Sequence, residues 1–361
     1  MKAILVTAAG GTDVLQLKEV PKPELPSPHH IRVKLAAAGV NPVDTKLRAK
    51  PAYHPDKLPA ILGCDGAGII EETGSAVTRF KAGDAVYFCN GGLGDEPGCY
   101  AEFTTLHEDY CAAAPANLSL QEAAALPLVL ITAWEALIER AQLQAGQTVL
   151  IHAAAGGVGH VALQLAYHLG ARIAVTVSDD KKAGLAHGLG AEKIIRYRTQ
   201  DFVRETLDWT NGQARPPLLN PLPQTVEEAT KSLREFRNNG QGADVVFDTA
   251  GGDTFLRSLD AARVGGRVVS ILATAMTQAD AQKARLRNLT LGFELMLTPQ
   301  VMYLHDERVR QRRILEQGAV LVEQGKLGVL VSHRLPLAQA ADAHRMIEAG
   351  GMIGKIVLTM E

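Results

Sequence analysis

A glycine turn between an apolar run and a helical pattern is the stretch of this sequence best suited to hold a phosphate group. The apolar run is Thr148–Ile151, the turn is His152–Gly159, and apolar residues then recur at helical spacing as far as Gly170. A strand, a tight turn and a helix in this order place backbone N–H groups and a helix N-terminus at one point, which attracts a pyrophosphate. Ala153 stands where the dinucleotide-binding fingerprint has its first glycine. Another strand pattern, Ile173–Val177, follows the helix, so the stretch predicts a βαβ unit that binds a dinucleotide, with a plain βα connection as the alternative.

The elements that must position this turn change character near residue 126. A chain of 361 residues is too long for one ordinary core, so two domains are expected. Residues 1–125 hold short strand patterns between turn residues, which predicts a partly open β-barrel. Residues 126–324 alternate strands with helices, which predicts a doubly wound parallel sheet with strands at 148–151, 173–177, 193–196, 244–248 and 267–272. Residues 325–361, with a helix from Leu337 to Ala349, are assigned to the first domain, because Gly354–Leu358 needs a sheet partner.

One connection is longer than the fold requires. The segment from Phe202 to Asp244 is about twice as long as a βα unit needs. Asp208–Pro223 is rich in proline and is predicted to be an inserted surface loop, with a subunit contact or a lid over the site as alternatives. A capping box at Thr225 then predicts a helix that ends at Gly240.

Composition and charge exclude several classes of function. The formal net charge of −2 gives no basic field for nucleic acid. The four cysteines form no C-x-x-C pair, which argues against a zinc knuckle and favours reduced thiols in the cytoplasm. The short apolar run after Met1 is interpreted as a first strand rather than a signal peptide, and no apolar run is long enough to predict a membrane span.

Several motifs along the chain match one family in the order in which that family has them. They are Ala38–Asp44, Leu62–Gly68, Leu130–Leu137, His152–Gly159, Ala243–Gly252, Gly265–Ser270 and Gly354–Leu358. As a set they resemble the zinc-independent medium-chain dehydrogenases/reductases, specifically the quinone oxidoreductase (zeta-crystallin-like) family. The resemblance implies an α/β plus β fold: a GroES-like partly open β-barrel catalytic domain and a Rossmann nucleotide domain, with the cofactor in the cleft between them. It also implies NADPH-dependent reduction and a homodimer.

The resemblance also predicts that the reaction needs no metal. In the zinc-dependent relatives, the positions that match Asn41, Cys64 and Leu128 hold a catalytic zinc. Only Cys64 could bind zinc here, and one thiolate cannot complete a tetrahedral site. The predicted substrates are therefore quinones and α,β-unsaturated carbonyl compounds, which accept hydride without a metal to polarise them. Cys64 is predicted to be a small buried residue, with a reactive thiol as the alternative.

The cofactor is predicted to be NADPH rather than NADH. Val177 ends the second strand where NAD enzymes carry the carboxylate that binds the ribose hydroxyls. Three side chains nearby could hold a 2′-phosphate: Ser178, Lys182 and Tyr197. In the family, the lysine and the tyrosine at these positions are associated with NADPH. Asp179 and Asp180 count against this assignment, and the alternatives are that Lys182 lies on a solvated helix face and that Tyr197 packs at a strand end.

The remaining candidate cofactor ligands follow from the resemblance. The turn contributes Ala154, Gly156, Gly157, Val158 and Gly159. Thr132 is expected near the nicotinamide carboxamide, with a helix N-cap as the alternative or additional role. Gly251 is expected to let the backbone approach the ribose. Lys355 is expected to return to the cleft, with a surface lysine on a strand as the alternative.

Two residues are candidates for the chemistry itself. Asn41, which also counts as a cofactor ligand, is predicted to donate a hydrogen bond to the developing oxyanion, with a turn-stabilising role before Pro42 as the alternative. Tyr53 is the candidate proton donor. The alternatives are that Tyr53 is a loop aromatic that packs over the cleft, or that water delivers the proton directly. Asp44 is interpreted as a structural turn residue rather than a base. An enoyl-thioester reductase-like enzyme and a non-catalytic NADPH-binding protein remain the alternative functions.

Overall fold

The computed structural model describes residues 1–50, 56–211 and 241–360. The chain divides into two compact units: unit 1 is Met1–Glu135, Ala155–Leu165 and Leu295–Glu361, and unit 2 is Ala136–Ala154 and Ala166–Glu294. Unit 1 takes in more of the chain than the predicted domain of 1–125 and 325–361, because residues 126–135, 155–165 and 295–324 also pack within it. Unit 2 is correspondingly smaller than the predicted 126–324 domain.

The described residues contain sixteen strands and eleven α-helices. The strands are β1 Lys2–Val6, β2 Leu15–Glu19, β3 His30–Val40, β4 Ala60–Ile61, β5 Asp65–Thr73, β6 Ala85–Cys89, β7 Phe103–His107, β8 Cys111–Ala113, β9 Thr148–Ile151, β10 Arg172–Val177, β11 Lys193–Arg196, β12 Ala243–Asp248, β13 Ala262–Ser270, β14 Thr290–Phe293, β15 Val331–Pro336 and β16 Lys355–Thr359. The helices are α1 Pro42–Ala49, α2 Leu120–Ala123, α3 Pro127–Trp134, α4 Gly157–His168, α5 Asp180–Gly188, α6 Phe202–Thr210, α7 Asp253–Ala261, α8 Gln278–Leu286, α9 Thr298–Val301, α10 His305–Glu323 and α11 Ala340–Ala349. Short 3₁₀ turns lie at Thr12–Val14, Glu108–Tyr110 and Leu337–Gln339, and a π-helical turn spans Glu135–Arg140.

Unit 1 is built on two sheets. The larger has the strand order β15-β16-β3-β5-β6-β8, with β7 also paired to β3, and the smaller has the order β2-β1-β4. The strand predicted at Gly354–Leu358 is β16, which runs antiparallel to β3 with Ile356 opposite Val40. This pairing confirms that the C-terminal segment joins the first sheet, and it brings Lys355 beside the end of β3.

Unit 2 holds one six-stranded parallel sheet with the order β11-β10-β9-β12-β13-β14. In chain order this is 3-2-1-4-5-6, the doubly wound Rossmann arrangement, in which ligands bind at the carboxyl ends of the strands. All five predicted strands are present, although β13 begins at Ala262 rather than 267 and ends at Ser270. The central strand β9 is completely buried, and its Leu150 packs in a core with Val246 and Phe255.

The region of the predicted insertion is described only at its edges. Helix α6 extends to Thr210, so the prediction that the loop begins at Asp208 is wrong for its first residues. Residues 212–223 of the predicted loop, and the helix predicted from Thr225, lie outside the described residues. In the described part of the chain, no helix is both long enough and apolar enough to cross a bilayer.

Candidate active site

Asn41 lies where β3 ends and α1 begins. Its backbone is extended and it occupies the N-cap position of α1, with Pro42 in the first turn. The carboxylate of Asp44 accepts a hydrogen bond from the backbone N–H of Asn41 at 2.8 Å. This contact confirms Asp44 as a structural turn residue and leaves the Asn41 side chain free to make other contacts.

The Asn41 side chain meets a buried ion pair. Its amide nitrogen donates to Asp65 Oδ2 at 2.9 Å, and its amide oxygen accepts a hydrogen bond from the Lys355 ammonium. Lys355 Nζ also lies 3.3 Å from Asp65 Oδ2. All three residues are at most 3% exposed, so Lys355 is not the surface lysine of the alternative interpretation. A buried pair of this kind persists only when hydrogen bonds satisfy its remaining atoms, and Asn41 supplies such bonds to both partners.

The positions that match the zinc ligands of the relatives lie around this ion pair. Asn41 donates to Asp65 Oδ2, and the backbone N–H of Leu128 donates to Asp65 Oδ1 at 2.8 Å. Cys64 directly precedes Asp65 and is completely buried, as predicted. Within residues 1–50, 56–211 and 241–360, no group of three or more His, Cys, Asp or Glu side chains is arranged to hold a metal ion. The metal-free reaction stays a prediction.

A second buried hydrogen-bond network links Asp44, Tyr100 and His344. Tyr100 donates its hydroxyl proton to Asp44 Oδ2 at 3.0 Å, so the 3.1 Å hydrogen bond between Tyr100 and His344 Nε2 is donated by the imidazole. Burial raises the pKa of Asp44 to about 7 and lowers the pKa of His344 to about 4. Sequence reasoning missed Tyr100, His344 and Asp65. Tyr100 and His344 are 244 residues apart in the chain, so no local spacing could have linked them.

The glycine turn and Lys355 are neighbours within unit 1. The N–H of Gly354 donates to the carbonyl of Ala155 at 2.8 Å, which ties the start of β16 to the turn. A Cβ placed on Gly157 would lie 3.2 Å from Cδ of Lys355, so the lysine stem runs over the first residue of α4. The first N–H groups of a helix have no intrahelical acceptor, and a nearby cation adds to the attraction for an anion.

His160 and several of the predicted residues of this region occupy defined positions. His160, in the first turn of α4, fixes the turn, because its Nδ1 donates to the carbonyl of Gly156 at 2.8 Å while its Nε2 accepts from the N–H of Leu330 at 3.1 Å. Thr132 lies inside α3 and its hydroxyl donates to the carbonyl of Leu128 at 2.6 Å, so the N-cap interpretation is wrong. Val158 and Gly159 follow Gly157 in the first turn of α4. Tyr53 lies outside the described residues.

In unit 2, the start of the turn has the conformation that a phosphate-binding turn requires. Ala153 has a φ of 49°, in the left-handed region that favours glycine, at the position where the fingerprint has its first glycine. The N–H of Ala153 donates to the hydroxyl of Thr176 at 3.1 Å, and the N–H of Ala154 donates to the Thr176 carbonyl at 3.2 Å. Ala153 and Ala154 therefore tie the turn to β10 through Thr176, and the N–H groups that fit a dinucleotide pyrophosphate are those at the start of α4.

Of the three candidate ligands of a 2′-phosphate, Ser178 follows β10, Lys182 lies in the first turn of α5, and Tyr197 follows β11. Lys182 Nζ donates to the Ser178 hydroxyl at 2.9 Å, and the Lys182 side chain is only 12% exposed, so the solvated-face interpretation is wrong. The N–H of Tyr197 donates to the carbonyl of Val177 at 3.2 Å, while its side chain is 51% exposed and hence is not packed at the strand end. These contacts bring Ser178 and Lys182 together and put Tyr197 beside the end of β10.

The two aspartates that counted against NADPH have partners of their own. Asp179 caps α5 by accepting from the N–H of Lys182, and it also accepts from the Ser178 hydroxyl at 2.7 Å. Asp180 pairs with Arg196 at 2.7 Å. Their charges are therefore partly compensated by groups of unit 2 itself.

Gly251 lies in a turn held by a buried aspartate that sequence reasoning missed. Its φ is 70°, and its N–H donates to Asp248 Oδ1 at 2.9 Å. The Ser270 hydroxyl donates to Asp248 Oδ2 at 2.7 Å. A Cβ on Gly251 would lie 2.9 Å from Leu272, so only glycine fits here without displacing a neighbour. The expected role of Gly251 beside the ribose stays a prediction.

Comparisons with known proteins agree with this architecture. Residues 27–116 match the alcohol dehydrogenase GroES-like domain, and residues 189–358 match the zinc-binding dehydrogenase family. The chain is 32% identical to a quinone oxidoreductase of Pseudomonas aeruginosa over 99% of both chains, and 32% identical to a 2-haloacrylate reductase of a Burkholderia species over 99% of this chain and 98% of that protein. The solved structure of Escherichia coli quinone oxidoreductase complexed with NADPH superimposes with a TM-score of 0.82 at 29% identity and covers 100% of both chains. The chain thus belongs to the medium-chain dehydrogenase/reductase superfamily, within its quinone oxidoreductase family, and is an oxidoreductase.

Proposed function

We propose that this protein uses NADPH to reduce quinones or α,β-unsaturated carbonyl compounds by hydride transfer, with no metal taking part. The observation that carries the proposal is the buried Lys355–Asp65 pair, which lies among the positions that hold zinc in the metal-dependent relatives. An ammonium there repels a divalent cation. Two relatives are named for a quinone and for a 2-haloacrylate. Both compounds contain a C=C bond conjugated to a C=O group, which is the kind of acceptor that this proposal requires.

The proposed cofactor contacts fall into three groups. The N–H groups of Gly156, Gly157, Val158 and Gly159 would bind the pyrophosphate, with Lys355 as the nearby cation. Ala154, whose own N–H donates to Thr176, would lie beside it. Ser178, Lys182 and Tyr197 would bind the 2′-phosphate. Thr132 and Gly251 would contact the nicotinamide carboxamide and the ribose. The NADPH in the Escherichia coli relative supports the choice of cofactor.

The proposed reaction requires only a hydrogen-bond donor and a proton donor from the side chains. When bound, the nicotinamide supplies the hydride. Asn41 Nδ2 carries two hydrogens, of which Asp65 accepts one, so the other can donate to the substrate oxygen as it gains negative charge. We retain Tyr53 as the proposed proton donor, with water as the alternative.

Cofactor choice is tested by Lys182→Ala, with the neighbouring exposed Lys181→Ala as the matched control. A hydrogen bond to a charged group contributes about 1.5–3 kcal/mol, so Lys182→Ala should weaken NADPH about 10- to 150-fold. NADH, which lacks the 2′-phosphate, should bind both variants as it binds the wild type. Fluorescence titration with each dinucleotide measures these affinities. Equal losses for NADPH and NADH would refute the role of Lys182.

Turnover is tested by following NADPH absorbance with 1,4-benzoquinone, 9,10-phenanthrenequinone, a simple enone and an enoyl thioester. We expect the quinones or the enone to be reduced by protein whose zinc content, measured by elemental analysis, is far below one ion per chain. A preference for the thioester would favour the enoyl-thioester reductase. NADPH binding without turnover of any acceptor would favour a non-catalytic protein.

We further propose a cytoplasmic homodimer. The support for the location is the thiol form of Cys64, Cys89, Cys99 and Cys111. The support for the dimer is β14, an edge strand of the six-stranded sheet on which Phe293 is half exposed, because an uncovered edge is a template for pairing with another chain. Light scattering of the wild type and of Phe293→Lys tests the dimer, and an unchanged mass would reject this edge as the interface.

A further inference from the structure

Asp44 is more deeply buried than a helix-capping aspartate needs to be. It is completely buried, whereas Asp280, which makes the same contact to the N-cap residue Thr277 of α8, lies at an exposed helix end. One oxygen of Asp44, Oδ2, accepts from both Asn41 and Tyr100. The other, Oδ1, is buried and has no hydrogen-bond partner among the described residues. A carboxyl with one unpartnered oxygen in such a place is poorly solvated when it is charged.

The charges of the groups around Asp44 sum to zero when Asp44 itself is left out. Lys355 on β16 faces Asp65 on β5, and Arg48 on α1 pairs with Glu348 on α11 at 2.5 Å. Burial lowers the pKa of His344 to about 4 and raises that of Tyr100 well above its usual value, so both are neutral near pH 7. Among the described residues, the remaining neighbours are the Asn41 amide and the thiols of Cys64 and Cys99, whose pKa values burial raises, so that both stay neutral. The charge of this buried cluster near neutral pH is therefore zero with Asp44 protonated and −1 with Asp44 ionised.

This cluster adjoins the predicted pyrophosphate site. Lys355 is hydrogen-bonded to Asn41, which Asp44 holds by its backbone, and the Lys355 stem lies over Gly157 at the start of α4. We propose that Asp44 is a positioning residue that holds Asn41 against Lys355, and that its charge sets how strongly this end of the site binds the anionic part of the dinucleotide. The inference rests on the proposed function, because it assumes that the dinucleotide binds there.

The direction in which pH changes the affinity for the dinucleotide follows from the charge of Asp44. Burial raises the pKa of Asp44 to about 7, so Asp44 is largely protonated at pH 6 and largely ionised above pH 8. Ionisation adds a negative charge near Lys355 and opposes the arrival of a phosphate. Binding and protonation are reciprocal, so a bound dinucleotide that raises the pKa of Asp44 by one unit binds about tenfold more weakly above the transition than below it.

The test compares wild type with Asp44→Asn, which keeps the size of the side chain and an oxygen for Asn41 and Tyr100, and with Asp280→Asn as the matched capping control. Dinucleotide affinity is measured by fluorescence from pH 6 to pH 8.5 with both NADPH and NADH, because NADH lacks the 2′-phosphate, which titrates itself. We expect wild type and Asp280→Asn to lose about tenfold in affinity for NADH as the pH rises, whereas the NADPH curve also contains the titration of its own 2′-phosphate. Asp44→Asn should show no such loss for NADH.

Two further measurements do not depend on the cofactor or on that variant. Infrared titration of the cofactor-free wild type should show a carboxylic-acid carbonyl band that disappears as the pH rises through about 7. The band should persist to higher pH in Tyr100→Phe, because the tyrosine hydroxyl stabilises the charged carboxylate. Absence of the band at pH 6, or an equal pH dependence of NADH affinity in wild type and Asp44→Asn, would overturn the inference alone. Failure to bind either dinucleotide at any pH would overturn the proposed function, and the inference with it.

Discussion

Replacing Lys355 with methionine tests the buried ion pair on which the candidate site depends. The substitution keeps the length of the side chain but removes the ammonium that contacts Asp65 and Asn41. Asp65 is completely buried, and its remaining partners are the N–H of Leu128 and the amide of Asn41. Breaking a buried pair leaves an uncompensated charge and costs about 3–5 kcal/mol. Lys193→Met is the matched control, because Lys193 and Glu205 form a partly exposed pair worth about 1 kcal/mol or less.

The fluorescence of a single tryptophan can report on the unfolding of unit 1 without a signal from unit 2. The chain has two tryptophans, Trp134 in unit 1 and Trp209 in unit 2. In a Trp209→Phe background, urea unfolding followed by fluorescence reports on the unit that contains Lys355. We expect the midpoint to fall sharply in Lys355→Met and to change little in Lys193→Met. We also expect the double variant Lys355→Met with Asp65→Asn to regain most of the loss, since it leaves no buried charge behind.

Two results would refute this reasoning. The first is a loss in Lys355→Met no larger than the loss in Lys193→Met, which would mean that Asp65 is satisfied without its ammonium. The second is a double variant whose loss equals the sum of the two single losses, which would mean that Lys355 and Asp65 contribute independently.

Two further predictions concern the glycine turn and its neighbourhood. Ala153→Gly should stabilise the protein by up to about 1 kcal/mol in thermal unfolding, because a left-handed alanine costs about 1–2 kcal/mol and the glycine loses part of that gain to chain entropy. Ala155→Gly, the control, should destabilise, and the idea of strain at Ala153 fails if the two variants behave alike. His152 is buried against Thr176 and Ser258, and burial lowers its pKa to about 4 from 6.5. The stability that neutral His152 contributes is therefore fully present above pH 6.5 and is lost as the pH falls through 4. The total loss is about 3 kcal/mol. His152→Gln should flatten this part of the stability–pH curve, which is measured by urea unfolding.

The sequence was sufficient where the signal is local. The periodicities of the alternating strands and helices predicted the parallel sheet, and the glycine pattern located the turn that begins at Ala153. Gly354–Leu358 could be assigned to the first sheet because a short apolar strand must pair with another strand. These inferences use neighbouring residues only, and secondary structure of this kind depends mainly on neighbouring residues.

The sequence was insufficient where a residue depends on a distant partner. Lys355 looked equally suited to a solvated strand, and only Asp65, 290 residues away in the chain, explains why it is buried. The sequence leaves an N-cap open as the alternative role of Thr132, but the helix begins at Pro127, more than a turn earlier. Tyr100 and His344 carry no pattern that links them, since their contact arises from packing between elements far apart in the chain.

The separation of Asp65 and Lys355 has a consequence for biosynthesis. Ribosomes add about 5–20 residues per second, so the 290 residues between the two take about 15–60 s to translate. Throughout that interval the nascent chain carries the carboxylate without its counter-ion, and burying it then would be unfavourable. The sheet that contains β3 and β5 therefore cannot reach its final packing until β16 has been synthesised, so this part of unit 1 completes its folding late.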